Sequence, residues 1–323
     1  MMKEIKKIIH ALKKAKSVAI FSHSDPDFDA IGSALGLKRA LNNMGKKADF
    51  ICDEEMSAAP KKVFGDNFCV KNFDKKDYDL FVSLDNPTPS RCKCPECFSE
   101  NTSSILIDHH RNLGLKAKYN YINIKRSSCS ELVFEVLQKA KIKIDSIVAT
   151  ALYAGLSADT NSFINSNTNA DSLLDAHKLL KLGAEVAKFN EYYYRSLSSK
   201  EIEVKTFIYN NFKFDKNICY CLASQDDIKK LKANKKDFSA ISSQLITFEK
   251  SLIAFSVVEK EPKEFYFSFR SKIGYPTREI AQQLGGGGHD YACAGKICDR
   301  NLSVEKVKRL IIKEIKKHYP NMW

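Results

Sequence analysis

The sequence lacks the features that are typical of membrane, secreted, repeat and low-complexity proteins. It has no apolar run approaching the roughly 20 residues of a membrane span, and no hydrophobic core of a signal peptide follows its Lys-rich start. It has no internal repeat and no low-complexity tract beyond four consecutive glycines. With 44% hydrophobic and 28% charged residues, its composition is ordinary for a soluble protein. We therefore expect a cytoplasmic protein, and 323 residues are enough for two domains.

The cysteines are expected to be reduced thiols, because ten of them occur without a secretion signal. Cys92, Cys94 and Cys97 form a C-x-C-x-x-C cluster that we expect in a surface loop. Zinc binding there stays open, because the spacing identifies no fourth ligand.

The formal charge of +13 favours polyanionic partners, with nucleotides or nucleic acid first. A general bias toward lysine explains the charge about equally well, because the lysines are scattered along the whole chain.

One polar loop stands out near the start of the chain. The segment 17–22 is typical of a buried parallel strand, and a helix is predicted from about Asp29. Between them lie His23, Asp25, Asp27 and Asp29. Helix capping would explain one aspartate, but an imidazole with several carboxylates favours a site for manganese, zinc or iron.

Metal-capable side chains also follow other predicted elements. Asp85 follows the strand 78–84, Asp108-His109-His110 follows the strand 103–107, and Asp159-Thr160 ends a helix that begins near Asp145. In an open α/β sheet, the carboxyl ends of the strands are where ligands bind. We therefore expect these groups to converge on one metal site.

The order of elements predicts an α/β protein. Alternating strands and helices up to about residue 190 indicate a doubly wound, mostly parallel sheet. Residues 191–211 are expected to form a helical linker, and 212–323 a smaller α/β domain with strands near 218–222, 252–258 and 264–270. We also expect Ser130 to cap a helix that runs to about residue 140.

The motifs together resemble the DHH phosphoesterase superfamily. The His-x-x-x-Asp-x-Asp loop, Asp85, Asp108-His109-His110 and Asp159-Thr160 match its four N-terminal motifs. Residues 285–295 resemble the glycine-rich signature of the DHH-associated C-terminal domain. The length is similar to that of the nanoRNase/pAp phosphatase (NrnA-like) group. Phe28 departs from the usual glycine or alanine of the first motif.

The resemblance implies specific roles for these residues. His23, Asp27 and Asp85 would hold one divalent cation, and Asp29, Asp85, His109 and Asp159 a second, with manganese expected for both. Asp108 would orient an imidazole, and His110 would contact the scissile phosphate and assist the leaving oxygen. The substrate-binding set would be Arg270, Ser271, Gly286, Gly287, Gly288 and His289.

The resemblance implies a manganese-dependent hydrolase of short oligoribonucleotides such as pApA, which could also act on pAp. Cyclic-dinucleotide phosphodiesterase and inorganic pyrophosphatase remain as alternatives, and a non-catalytic nucleotide-binding regulator is the alternative from another class. Short RNA or small nucleotides are the expected substrates, no membrane partner is expected, and a homodimer is left open.

Overall fold

The computed structural model describes residues 2–52, 56, 58–66, 68–86, 88–112, 114–233, 235–238 and 241–322. Contacts divide the chain into two compact units, Met1–Ser196 and Leu197–Trp323. The first unit contains α1 (Met2–Lys14), β1 (Ser17–Phe21), α2 (Phe28–Asn42), β2 (Lys47–Phe50), α3 (Ala58–Phe64), β3 (Leu80–Leu84), β4 (Ser104–Asp108), β5 (Tyr119–Ile122), α4 (Cys129–Ala140), α5 (Ser146–Asp159), α6 (Ala170–Lys181) and α7 (Val186–Tyr194).

Five parallel strands form the sheet of the first unit, in the order β2-β1-β3-β4-β5. The predicted parallel α/β architecture is confirmed. After β2, the chain crosses back to place β3 on the other side of β1, so the order reverses between β1 and β3. A crevice opens at the carboxyl ends of the strands at such a reversal, and open α/β sheets bind ligands there.

The two faces of this sheet are covered differently. On one face Val18, Ile20 and Val82 pack in a core shared with helices α1, α2, α4 and α5. On the other face the alternate residues, such as Phe21 and Phe81, pack against irregular segments between residues 70 and 117. Helices on both faces are typical of a doubly wound sheet, but here short turns and loops cover the second face.

The C-x-C-x-x-C cluster lies inside this second core rather than in a surface loop. Cys92, Cys94 and Cys97 are all buried, so the surface-loop prediction is wrong. Cys94 and Cys97 are joined by a disulfide, because the 3-10 turn at Pro95–Cys97 folds the chain back on itself. The prediction of reduced thiols is therefore wrong for this pair.

The second unit contains α8 (Ser199–Asn211), β6 (Lys213–Asp215), β7 (Ile218–Ala223), α9 (Gln225–Lys230), α10 (Ile241–Leu245), β8 (Ile253–Glu261), β9 (Glu264–Ser271), α11 (Arg278–Gln283), β10 (Gly287–His289), β11 (Ala292–Cys298) and α12 (Val304–His318). Its six strands run in the order β10-β11-β9-β8-β7-β6, and only the β7–β8 pair is parallel. One face of the sheet packs with α11 and α12, and the other packs with α8 and α10.

The segment predicted as a helical linker, 191–211, contains the end of α7 and the whole of α8. Helix α7 ends at Tyr194 and α8 begins at Ser199, where Ser198 and Glu201 form a reciprocal capping box. Val204 and Ile208 of α8 are buried in a core of the second unit. The division therefore falls between residues 196 and 197, whereas the sequence predicts a first domain ending at 190 and a last domain beginning at 212.

The predicted cap of α4 also needs correction. The N-cap is Ser128, whose side chain accepts a hydrogen bond from Glu131 N while the Glu131 carboxylate accepts one from Ser128 N. Ser130 lies in the first turn instead, and its amide serves the candidate site described next.

Candidate metal centre

Three neighbouring strands deliver the candidate residues to one edge of the first sheet. The loop after β1 carries His23 and Asp27, β3 is followed directly by Asp85, and β4 ends at Asp108. Asp85 has a positive φ of 54°. An aspartate tolerates this left-handed backbone better than most residues do, and such strained positions are often associated with function.

The first group of side chains contains His23, Asp27 and Asp85. His23 Nε2 lies 3.9 Å from Asp27 Oδ2 and 3.6 Å from Asp85 Oδ2. His23 Nδ1 lies 2.8 Å from the carbonyl oxygen of Ser24 and 2.8 Å from Nη2 of Arg91, and these contacts hold the ring with Nε2 toward the carboxylates. Asp27 also caps α2, since its Oδ1 accepts from the amides of Asp29 and Ala30.

The second group surrounds His109. Its Nε2 lies 3.8 Å from Asp29 Oδ2, 3.5 Å from Asp85 Oδ1 and 3.8 Å from Asp159 Oδ2. His109 Nδ1 lies 3.3 Å from the carbonyl oxygen of Arg126, which fixes the ring with Nε2 toward the three carboxylates. Asp85 Oδ2 thus faces His23, whereas Asp85 Oδ1 faces His109 and also lies 3.1 Å from His110 Nδ1.

Crowding and burial disfavour the charged forms of Asp29 and Asp159, whereas contacts with three histidines hold the pKa of Asp85 well below its ordinary value despite its burial. Burial, then Asp85, raises the pKa of Asp29 well above its ordinary value. Burial also raises the pKa of Asp159 to about 6, with Asp27 and Asp85 adding to the effect against the opposing His109. Such a concentration of negative charge is stable only with nearby positive charge.

Asp108 and His110 form a pair that contacts Asp85 through His110 Nδ1. Asp108 Oδ1 accepts hydrogen bonds from the amide of His110 at 2.8 Å and from its Nδ1 at 2.9 Å. Burial lowers the pKa of His110, but Asp108 and Asp85 outweigh it and raise the pKa to about 11. In this arrangement Asp108 fixes the orientation of the His110 ring and, together with Asp85, favours its charged form.

Sequence reasoning missed several residues that support the centre. Asn167 Nδ2 donates to Asp159 Oδ2 at 3.2 Å, and nothing in the sequence pattern singles it out. The amides of Cys129 and Ser130 donate to the two oxygens of Asp29 at 2.6 and 2.9 Å. The S-x-x-E pattern at 128–131, a capping box, could have located the start of α4 and hence these donors.

Gly155 is also part of this support. A Cβ at Gly155 would overlap Ser130 Oγ and lie 2.8 Å from Asp29 Oδ1. An isolated glycine within an apolar helix indicates close packing, so this position did carry a sequence signal.

In the second unit the structure places part of the predicted substrate-binding set in one row. Arg270 of β9 pairs with Ala292 of β11, which pairs with His289 of β10. Directly paired residues point to the same face of a sheet, and the small Ala292 leaves space between the two larger side chains. Ser271 follows Arg270 in the strand and points to the opposite face, so this register gives no support to its place in the set.

Two of the predicted glycines have a packing reason. A Cβ at Gly286 would lie 2.5 Å from the carbonyl oxygen of Ala294, and one at Gly288 would lie 2.5 Å from that of Ala292. Gly288 also has a φ of +133°. At Gly287 a Cβ would meet no atom within 4 Å, so this is the position where another molecule could approach the backbone.

Comparison with known families identifies both parts of the chain. Residues 17–156 match the DHH family, N-terminal domain, and residues 215–318 match the DHHA1 domain. The chain thus contains a DHH domain followed by a DHHA1 domain. The predicted family and the predicted enzyme class, a phosphoesterase, are confirmed.

Relatives with the same arrangement extend over nearly the whole chain. The bifunctional oligoribonuclease and PAP phosphatase NrnA of Mycoplasma pneumoniae is 28% identical over 323 residues, which cover 96% of this chain and 94% of that protein. The protein of that name from Thermus thermophilus is 26% identical, covering 92% of this chain and 90% of its own.

Solved structures show the same fold. An exopolyphosphatase-related protein from Bacteroides fragilis superposes with a TM-score of 0.88 at 21% identity, covering 100% of this chain and 98% of that one. RecJ from Thermus thermophilus in complex with Mn²⁺ superposes with a TM-score of 0.57 at 13% identity, covering 97% of this chain and 55% of RecJ. Across the described part of the chain, no helix is long and apolar enough to cross a bilayer.

Proposed function

We propose that this phosphoesterase uses two divalent cations, manganese foremost, to hydrolyse short oligoribonucleotides such as pApA and to remove a phosphate from pAp. The single observation that carries the proposal is the position of Asp85. Its two carboxylate oxygens face the two separate groups around His23 and His109. The similarity to NrnA proteins over nearly the full chain supports the substrate class.

The residues present fit two divalent cations. The ligand atoms of His23, Asp27 and Asp85 lie within 4.8 Å of one another, and so do those of Asp29, Asp85 and His109. Asp85 Oδ1 is buried and makes no well-aligned hydrogen bond to the described residues. The four carboxylates of the two groups carry four negative charges, which two dications would balance. Oxygen-rich ligation with imidazoles suits manganese.

In this proposal His23, Asp27 and Asp85 would hold one cation, and Asp29, Asp85, His109 and Asp159 would hold the other. Two cations bound there would supply Lewis-acid chemistry, by which the pKa of a bound water would fall and charge on the attacking and leaving oxygens at phosphorus would be stabilised. The protein supplies the remaining proton at His110. Asp108 keeps Nδ1 of that ring occupied, so His110 Nε2 is the atom that can donate to the leaving oxygen.

The second unit would bind the nucleotide end of the substrate. Arg270 offers a planar fork of donors suited to phosphate, and His289 at the other end of the row is exposed. Gly287 adds backbone that a phosphate can approach closely. Gly286 and Gly288 hold the hairpin in the shape that presents this position.

The proposal is tested with an isosteric variant, Asp85→Asn. Asparagine tolerates the left-handed backbone at this position, whereas alanine would add strain. We expect Asp85→Asn to lower manganese-dependent hydrolysis of pApA at least about 10³-fold, because one neutral amide cannot bridge two cations. Asp77→Asn, at an exposed aspartate, is the matched control and should retain wild-type activity.

The assay offers pApA, pAp, cyclic di-AMP and pyrophosphate in parallel, after chelation and with manganese or magnesium added back. AMP from pApA, and AMP with phosphate from pAp, are the expected products. Exclusive cleavage of cyclic di-AMP or pyrophosphate would replace the proposed substrates. Full activity of Asp85→Asn, or of the chelated wild type, would rule out the bridging role.

A further inference from the structure

The bulky residue in the first motif, Phe28, does not cover the candidate metal centre. Its ring is buried, with 6% of the residue exposed, among aromatic side chains of α3 and α7. The ring centroid lies 5.5 Å from that of Phe189 and 4.7 Å from that of Tyr193, both in α7. Because Phe28 stands between Asp27 and Asp29, these contacts attach α7 directly to the metal-binding loop.

Tyr193 is the exposed member of this aromatic cluster, whereas Phe64 and Tyr194 are partly buried. Its ring is stacked on Phe189, with centroids 5.1 Å apart and planes at 17°, and Phe189 is fully buried. Tyr193 nevertheless remains 38% exposed, so its exposed surface lies away from Phe189. Tyr194 packs against it edge to face at 4.6 Å. The ring is thus supported from behind and held in one orientation.

Tyr193 also lies in the electrostatic field of the metal centre. Burial raises its pKa above the ordinary value, and Tyr194, Asp27 and Asp159 raise it further. The hydroxyl is therefore neutral at physiological pH, and the ring carries no charge that would repel a phosphate.

We propose that Tyr193, supported by Phe189 and Phe28, is a stacking platform for the nucleobase next to the scissile phosphate. A rigid ring with an exposed surface beside a phosphate-cleaving centre is the arrangement by which proteins bind bases without reading their sequence. This inference rests on the proposed function, and it adds a specificity determinant that the metal ligands and the Arg270–His289 row do not provide. It selects nucleotides over phosphate esters that lack a base.

The platform is tested by replacing the ring and comparing substrates with and without a base. Loss of one stacked base corresponds to about a 5- to 150-fold loss of affinity. We expect Tyr193→Leu to raise KM for pApA by a factor in this range with kcat changed less than about threefold. Tyr193→Phe should stay close to wild type. For a pAp analogue whose adenine is replaced by hydrogen, Tyr193→Leu should behave as wild type.

The matched control is Tyr209→Leu, at a tyrosine of α8 that is 50% exposed and outside the aromatic cluster. Thermal unfolding is measured first, and Tyr193→Met replaces Tyr193→Leu if the latter melts early. Equal losses on the base-free analogue, or an unchanged KM for pApA, would overturn the platform.

Equilibrium binding of AMP separates the platform from the proposed reaction. If wild type hydrolyses neither pApA nor pAp, the proposed function fails, but weaker AMP binding by Tyr193→Leu would still support the platform. AMP binding that is absent from wild type or unaffected by the substitution would overturn it.

Discussion

Gly155→Ala is the substitution that most directly tests how the fold positions the metal centre. In isolation the change should favour α5, because alanine is better than glycine in a helix by about 1 kcal/mol. The structure predicts the opposite outcome for function. The new Cβ would overlap Ser130 Oγ and lie 2.8 Å from Asp29 Oδ1, so the Asp29 carboxylate must shift.

The magnitude follows from these two effects. Overpacking costs about 1–3 kcal/mol, which the helix propensity offsets in part, leaving a net loss of stability of about 0–2 kcal/mol. That corresponds to a fall in the melting temperature of at most about 8 °C. Displacement of a positioned group by about 1 Å can cost about 100-fold in rate. We therefore expect a folded protein with roughly 100-fold lower manganese-dependent activity.

The assay pairs thermal unfolding with pApA hydrolysis over a range of manganese concentrations. Gly36→Ala is the control, because the three atoms nearest to its Cβ would all belong to the side chain of Leu152, in the core away from the carboxylates. That variant should lose stability and keep activity within about threefold. If Gly155→Ala were as active as wild type, or if Gly36→Ala lost as much activity, the close approach to Asp29 would not be what positions the carboxylate.

Two further predictions concern the carboxylates. Asn167→Ala removes the donor to Asp159 and should raise the manganese concentration for half-maximal activity about 10- to 100-fold; an unchanged manganese titration would contradict this role. Without metal, the fold should lose stability as pH rises from 5 to 8. Burial raises the pKa of Asp159 to about 6. Burial lowers the pKa of His109, but Asp85 and Asp159 outweigh this effect and raise that pKa to about 9. Both groups bind protons more tightly when folded, and that stabilisation disappears as pH rises through each folded pKa. Thermal unfolding in EDTA should show this fall, and manganese at pH 8 should reverse it; a melting temperature that rises with pH in EDTA would contradict it.

The sequence predicted the main elements of the first sheet well, because its strands are short apolar runs that end in functional residues. His23, Asp85 and the tripeptide at 108–110 all follow such runs, and their convergence follows from the geometry of a parallel sheet. The edge strand β5 gave no clear signal and was not predicted. Three of its four residues are only partly buried, so they do not form a continuous apolar run.

Contacts between segments far apart in the chain could not be predicted from the sequence. The support of Asp29 by the amides at 129 and 130 depends on where α4 begins, and the wrong choice of Ser130 as its cap hid that role. Phe28 was recognised as a departure, but its consequence depends on the packing of α7, about 160 residues later. The burial of Cys94 and Cys97 depends on the sheet face they cover, which no local pattern specifies.

The position of Asp29 bears on which inactive variant is useful for trapping an uncleaved substrate. Both of its oxygens are engaged by the first turn of α4, so this one carboxylate fastens two helices together. Replacing Asp29 would weaken the packing of these two helices and also remove a proposed metal ligand. Loss of activity in such a variant would therefore say nothing about the chemical step. Asp85 follows a strand, and its oxygens contact imidazoles rather than the amides of a helix, so Asp85 is the better choice for an inactive but folded protein.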